Sequence, residues 1–126
     1  MYKFVADKYE NLRYDKETLN MIMDILKDVK YSYKVLEALA NNQKMGDKGL
    51  SRSMMYKTIK IKPEYSSKKE EIFITRNIAD KILYLLMGAG LIYYDIETKE
   101  IYYALTQRGA QVCQVLKNNK LIKIID

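Results

Sequence analysis

Histidine is absent from this sequence, and cysteine occurs once, at Cys113. The first absence removes the commonest general base, the imidazole metal ligand and every triad built on histidine. The second excludes an internal disulfide and fits a reducing compartment. Asp and Glu occur only as scattered helix and turn charges, so no enzymatic activity, cofactor or metal is expected. Long apolar runs are lacking too. The longest uncharged stretch, Ile82 to Tyr94, holds 13 residues, against about 20 for a membrane-spanning helix. The opening "MYKFVADKYE" is charged throughout and has no signal-peptide core. A cytoplasmic protein without membrane association is the expectation.

What is present is size for one core and an uneven charge. At 126 residues the chain can bury roughly two-thirds of its unfolded surface, enough for one domain without disulfides or metal. The net charge is +6. Residues 1–43 hold seven basic and seven acidic side chains, as do residues 70–126, whereas residues 44–69 hold eight basic and two acidic. The whole excess therefore lies in 26 residues. Such concentration is the footprint of a phosphate-binding surface. The competing account is a solvated lysine-rich loop.

Apolar spacing predicts a helix over Glu17–Val29, with Leu19, Ile22, Met23, Ile25 and Leu26 along one face and Asp15 or a neighbour as cap. A second helix follows, with Ser32 as N-cap and an end at Asn41-Asn42. "MGDKG" is a loop. A short helix then starts at Ser51, with Leu50 and Met55 spaced as a hydrophobic staple; a strand from Tyr56 to Ile61 is the competing assignment. Pro63 stops either one. The next helix carries Ile78, Ala79, Ile82, Leu85, Leu86 and Ala89 on one face. Ser67 with Glu70 matches a capping box, but that early start would turn Glu71 inward. A start near Thr75, with Ile72–Ile74 extended, is preferred. Leu91–Tyr94 and Glu100–Leu105 read as strands joined by "DIETK", and Thr106 caps a last helix over Gln107–Asn118. The division is an N-terminal extension over 1–16, a domain over 17–119 and a tail over 120–126.

The glycines of "MGAGLIYYD" do not make a dinucleotide loop. That fingerprint runs strand, glycines, helix, so that phosphate meets a helix N-terminus. Here the helix comes first, and phosphate would meet the negative end of its dipole. Gly90 instead occupies the left-handed position after a helix C-cap.

The order three helices, Gly-Leu-Ile strand, hairpin, "YALTQRG" and helix resembles the winged helix-turn-helix domains of bacterial regulators. The fold class so implied is α+β, mainly α: a winged helix-turn-helix with an N-terminal helix and a C-terminal helix after the wing hairpin. The stretches "YKVLEALANN" (33–42), "LSRS" (50–53), "MGAGLIYYD" (87–95) and "IYYALTQRGAQVCQVLKNN" (101–119) are most similar to the TubR-type DNA-binding adaptors of tubulin-like plasmid and phage partition systems. This resemblance implies a homodimer that binds repeated or palindromic centromere sites in double-stranded DNA. It also implies repression of its own operon and engagement of a tubulin-like filament GTPase. The chain departs from the pattern in the longer segment between the paired helices, where a turn of 3–4 residues is usual.

The residues make their own case for DNA. Arg76 and Asn77 fall at the first turn of the helix that would read bases, where Arg can contact guanine and Asn adenine bidentately. Lys81 and Tyr84 lie further along the exposed side and suit phosphate or sugar. Arg52, Lys57, Lys60, Lys62, Lys68 and Lys69 would add sequence-independent, salt-sensitive affinity. An ordinary solvated face is the plainer account of these positions. Asp95, Glu97 and Glu100 make the wing acidic, which does not suit a negative minor groove. The wing is therefore expected to stand off DNA or to meet a protein. Tyr93, Tyr94, Tyr102 and Tyr103 are expected to pack within the hairpin, and Cys113 to be a buried small hydrophobe. Two other functions fit: a one-component transcriptional repressor, and a protein-interaction module without DNA specificity. The first helix, the last helix and the tail are the candidate dimer surfaces.

Overall fold

A computed structural model describes residues 11–46, 49–63, 70–97 and 99–125 of the chain. The fold is α+β and mainly helical. In order it comprises α1 (Lys16–Lys27), α2 (Ser32–Lys44), β1 (Leu50–Ser51), α3 (Arg52–Thr58), β2 (Lys60–Ile61), β3 (Ile72–Phe73), α4 (Arg76–Gly88), β4 (Ile92–Glu97), β5 (Glu100–Leu105) and α5 (Gln107–Asn118). The strands form an antiparallel sheet of order β1-β5-β4 and a separate β2-β3 ribbon.

Local chemistry sets most helix starts. Asp15 Oδ1 accepts from Thr18 N–H at 2.7 Å, Ser51 Oγ from Met54 N–H at 3.3 Å, and Thr106 Oγ1 from Gly109 N–H at 3.2 Å. Each satisfies an amide that has no partner within its helix. α4 takes the later of its two candidate starts, with Thr75 extended before it and Ile72–Phe73 in a strand. It ends as the glycine reading expects. Gly90 has φ +76°, its N–H donates to Met87 O, and Leu91 N–H donates to Leu86 O. That pair of bonds is a Schellman turn, closed by the buried Leu86 and Leu91.

Three expectations need correction. Ser32 does not cap α2. Tyr31 takes the cap position in a left-handed conformation with φ 69°, and the buried Ser32 hydroxyl donates to Leu26 O at 3.1 Å. The serine thus ties the end of α1 to the start of α2, a tertiary bond that outweighs the local one. α2 also runs on to Lys44, past Asn41-Asn42. In the hairpin, the ladder continues through Asp95↔Tyr102 and Ile96↔Ile101 to Glu97↔Glu100. "DIETK" is therefore largely strand, because a ladder of backbone hydrogen bonds does not depend on which side chains the strands carry. Between the paired helices, the long segment forms the β2-β3 ribbon, with Lys60 opposite Phe73 and Ile61 opposite Ile72.

The core gathers Val35, Leu36 and Leu39 of α2, Met55 of α3, Ala79, Ile82, Leu83 and Leu86 of α4, Leu91 and Ile92, Tyr103 and Leu105 of β5, and Val112 and Leu116 of α5. Tyr94 meets Tyr103 edge-on at 6.3 Å between ring centroids. Both ends of the described chain are fastened to this core. Tyr14 exchanges two bonds with Gln111, at 2.7 and 3.0 Å, and its hydroxyl donates to Ala89 O. After α5, Ile122 is buried; Lys123 N–H donates to Glu37 and Ile125 N–H to Asn41, each at 2.8 Å. No helix among the described residues is long and apolar enough to cross a membrane.

Cys113 sits in this core, its thiol 3.7 Å from Leu36 O. Burial pushes its pKa from the ordinary 9.0 up to about 12. Between those values the unfolded chain gives up the thiol proton while the folded chain keeps it. Stability therefore falls as pH rises above about 9, with a limiting slope of about 1.4 kcal/mol per pH unit from this group. Urea unfolding from pH 7 to pH 10 should show that decline, and Cys113→Ala should flatten it. An identical slope in both proteins would remove Cys113 as the cause.

Candidate nucleic-acid interface

α4 divides cleanly between its two sides. Ala79, Ile82, Leu83, Leu86 and Met87 are buried, while Arg76, Asn77, Lys81 and Tyr84 are exposed. Asn77, Lys81 and Tyr84 follow an i, i+4, i+7 stripe, and Arg76 stands beside it at the amino end. The four residues expected to read and position DNA thus share one outward surface. Arg76 opens the helix, where unpaired amides and the positive end of the dipole also favour phosphate.

The six other basic positions divide differently. Arg52, at the first turn of α3, is not on an open surface. Its Nε lies 3.1 Å from Asp80 Oδ1, an ion pair without the alignment of a hydrogen bond. Its guanidinium also stands over the Tyr84 and Tyr103 rings, at 5.9 and 5.6 Å. Arg52 therefore braces α3 against α4 and β5. Burial pushes the Tyr103 phenol above its ordinary pKa, with Arg52 pulling the other way. Lys57, in the last turn of α3, and Lys60 and Lys62 beyond it are exposed. Lys60 lies over the Phe73 ring at 5.4 Å, and Lys62 O accepts from the Tyr31 hydroxyl at 3.1 Å. Lys68 and Lys69 lie outside the described residues.

Asp80 is the site residue that the spacing did not single out. Its second oxygen is 3.9 Å from Arg76 Nε, so one carboxylate faces both the brace and the amino end of α4. The i, i+4 relation to Arg76 was a usable signal; the pairing with Arg52, 28 positions away, left none. Removing the brace should be measurable. Arg52→Ala is expected to lose about 1–2 kcal/mol, from two cation–ring contacts and the side-chain packing, with urea unfolding as the check. A stability unchanged within error would mean that the stacked guanidinium adds nothing net.

The β4-β5 hairpin carries the opposite charge. Asp95 is half-buried on β4, and Glu100 at the start of β5 accepts from the Tyr102 hydroxyl at 2.8 Å. No family model matches the chain, and no curated protein or solved structure does so either.

Proposed function

We propose that the protein binds double-stranded DNA sequence-specifically as a homodimer, through a winged helix-turn-helix in which α3 and α4 are the helix pair. The observation that carries this reading is the outward stripe of Arg76, Asn77, Lys81 and Tyr84 on a helix whose other side is core. It presents two base-reading side chains at the helix start and two backbone-contacting ones behind them. The element order supports it: helix, short strand, helix pair, hairpin, with β1 closing the sheet against β5. The exposed Lys57, Lys60 and Lys62 supply sequence-independent attraction. Met21 and Ile25, exposed on α1, are apolar surface suited to pairing two copies.

The narrower role is a centromere-binding adaptor and autorepressor of a tubulin-like partition system, working in the cytoplasm. The sequence resemblance supports that role. Selection of duplexes from a random library, followed by anisotropy titration across a salt series, tests the DNA reading. It expects enrichment of repeated or palindromic sites and affinity that falls steeply with salt; equal affinity for selected and shuffled duplexes would sink it. Co-sedimentation of the protein–DNA complex with filaments of a tubulin-like GTPase encoded beside its gene tests the partition role. The acidic β4-β5 hairpin favours a second reading, a protein-interaction module, which expects only weak electrostatic DNA binding together with a stoichiometric protein partner.

A further inference from the structure

We infer that the β2-β3 ribbon, and not the β4-β5 hairpin, is the second element that grips duplex DNA, with Phe73 and Lys60 against the sugar–phosphate backbone beside the groove α4 enters. This rests on the DNA-binding reading above.

Four observations lead there. The ribbon lies within the interval that separates α3 from α4, and its β2 side falls in the segment that holds the chain's whole charge excess. Its base is fixed in the core: Ile59, Ile61 and Ile74 are buried, and Ile74 N–H donates to Ile59 O at 2.8 Å. It is therefore a rooted arm. β3 leads directly into the Thr75 cap of α4, so Phe73 stands three residues from Arg76. Three extended residues span at most about 10 Å, comparable with the roughly 12 Å width of a major groove. Lastly, Phe73 is 48% and Ile72 37% exposed, with the Lys60 ammonium over the Phe73 ring. An apolar ring held outward under a cation matches a sugar edge next to phosphate. The β4-β5 hairpin, with Asp95 and Glu100, offers no such complement.

The sequence has no tryptophan, so one introduced indole reports alone. Phe73→Trp and Ile101→Trp, the latter at an exposed position near the tip of the β4-β5 hairpin, are titrated in the full-length protein with a short random-sequence duplex at low salt. The emission of Phe73→Trp is expected to be quenched on binding and that of Ile101→Trp to stay unchanged. Phe73→Ala should weaken duplex binding about fivefold, as half a phenyl ring fails to leave water. Lys60→Ala should lower the slope of log affinity against log salt by about one. Both side chains are exposed, and unchanged circular dichroism confirms that the variants fold. A silent indole at position 73 with undiminished binding by Phe73→Ala overturns the assignment while the DNA reading stands. Quenching at position 101 alone transfers the contact to the β4-β5 hairpin and overturns it as well. Failure of the unsubstituted protein to bind any duplex overturns the DNA reading itself, and this inference with it.

Discussion

Gly109→Ala is expected to lose about 3 kcal/mol or more of folding stability, at the upper end for an added methyl in a packed site. At this chain length that corresponds to a fall of roughly 10 °C in melting temperature. The reason is a joint between two helix ends. Gly90 O, just past α4, accepts from the Thr106 hydroxyl at 2.6 Å and from Arg108 Nε at 3.0 Å. Leu91 O accepts from Thr106 N–H at 3.0 Å, while Leu91 N–H is bound to Leu86 O. The first turn of α5 therefore rests directly on the backbone leaving α4. A Cβ on Gly109 would fall far inside contact distance of Leu91 O and press on Leu105 Cδ2 at 3.0 Å. The carbonyl cannot retreat without breaking bonds on both sides of Leu91. Gly88→Ala is the matched control, because a Cβ there meets open space and α4 is still helical. It should raise stability by about 0.4–1 kcal/mol through the unfolded chain's lost freedom. Thermal unfolding decides the matter: if Gly109→Ala melts within a degree or two of the parent, the joint is softer than its bonding suggests.

The second large effect concerns recognition, and it follows from the proposed function. Arg76→Ala is expected to lower discrimination between a selected duplex and its shuffled counterpart by roughly 5- to 150-fold, the value of one bidentate arginine–guanine contact. Lys57→Ala should weaken both duplexes alike and reduce the salt slope by about 0.9. The contrast arises from position. The Arg76 side chain is 81% exposed at the start of α4 and only loosely attracted by Asp80 at 3.9 Å, so it is free to turn toward a base edge. Lys57 lies in the last turn of α3, off that stripe, and in the proposed docking it serves backbone charge alone. Anisotropy titrations of both variants on both duplexes separate the roles. Equal proportional losses from Arg76→Ala on the two duplexes would take the base-reading role away from it.

The parts of this fold that sequence could announce are those fixed by neighbouring residues. Ser51, Thr106 and Gly90 act within a few positions of themselves, and Thr75 was placed because an earlier start would turn Glu71 inward. The rest depends on partners far along the chain. A two-residue strand such as Leu50-Ser51 carries no period, and its existence depends on Tyr102-Tyr103 about fifty residues later. Ser32 had the composition of a cap, yet a carbonyl at the end of α1 claimed its hydroxyl. In the candidate site, the exposed stripe was legible because burial on α4 follows helical spacing. Arg52 was not, since a basic residue in a basic segment looks free until Asp80 and two tyrosine rings are brought beside it.

The pairing of β1 with β5 has a kinetic consequence. Leu50 and Ser51, which lead into α3, find their strand partners only at Tyr103 and Tyr102. Contacts so distant in sequence slow folding, because the loop must close before the pairing contributes. During synthesis the α3-α4 unit leaves the ribosome ahead of the strand that closes its sheet. A fragment ending after α4 lacks that strand and the α5 seat on Gly90 and Leu91, so it will not hold α4 in place. The exposed stripe of α4 is set in place late, once β5 has emerged.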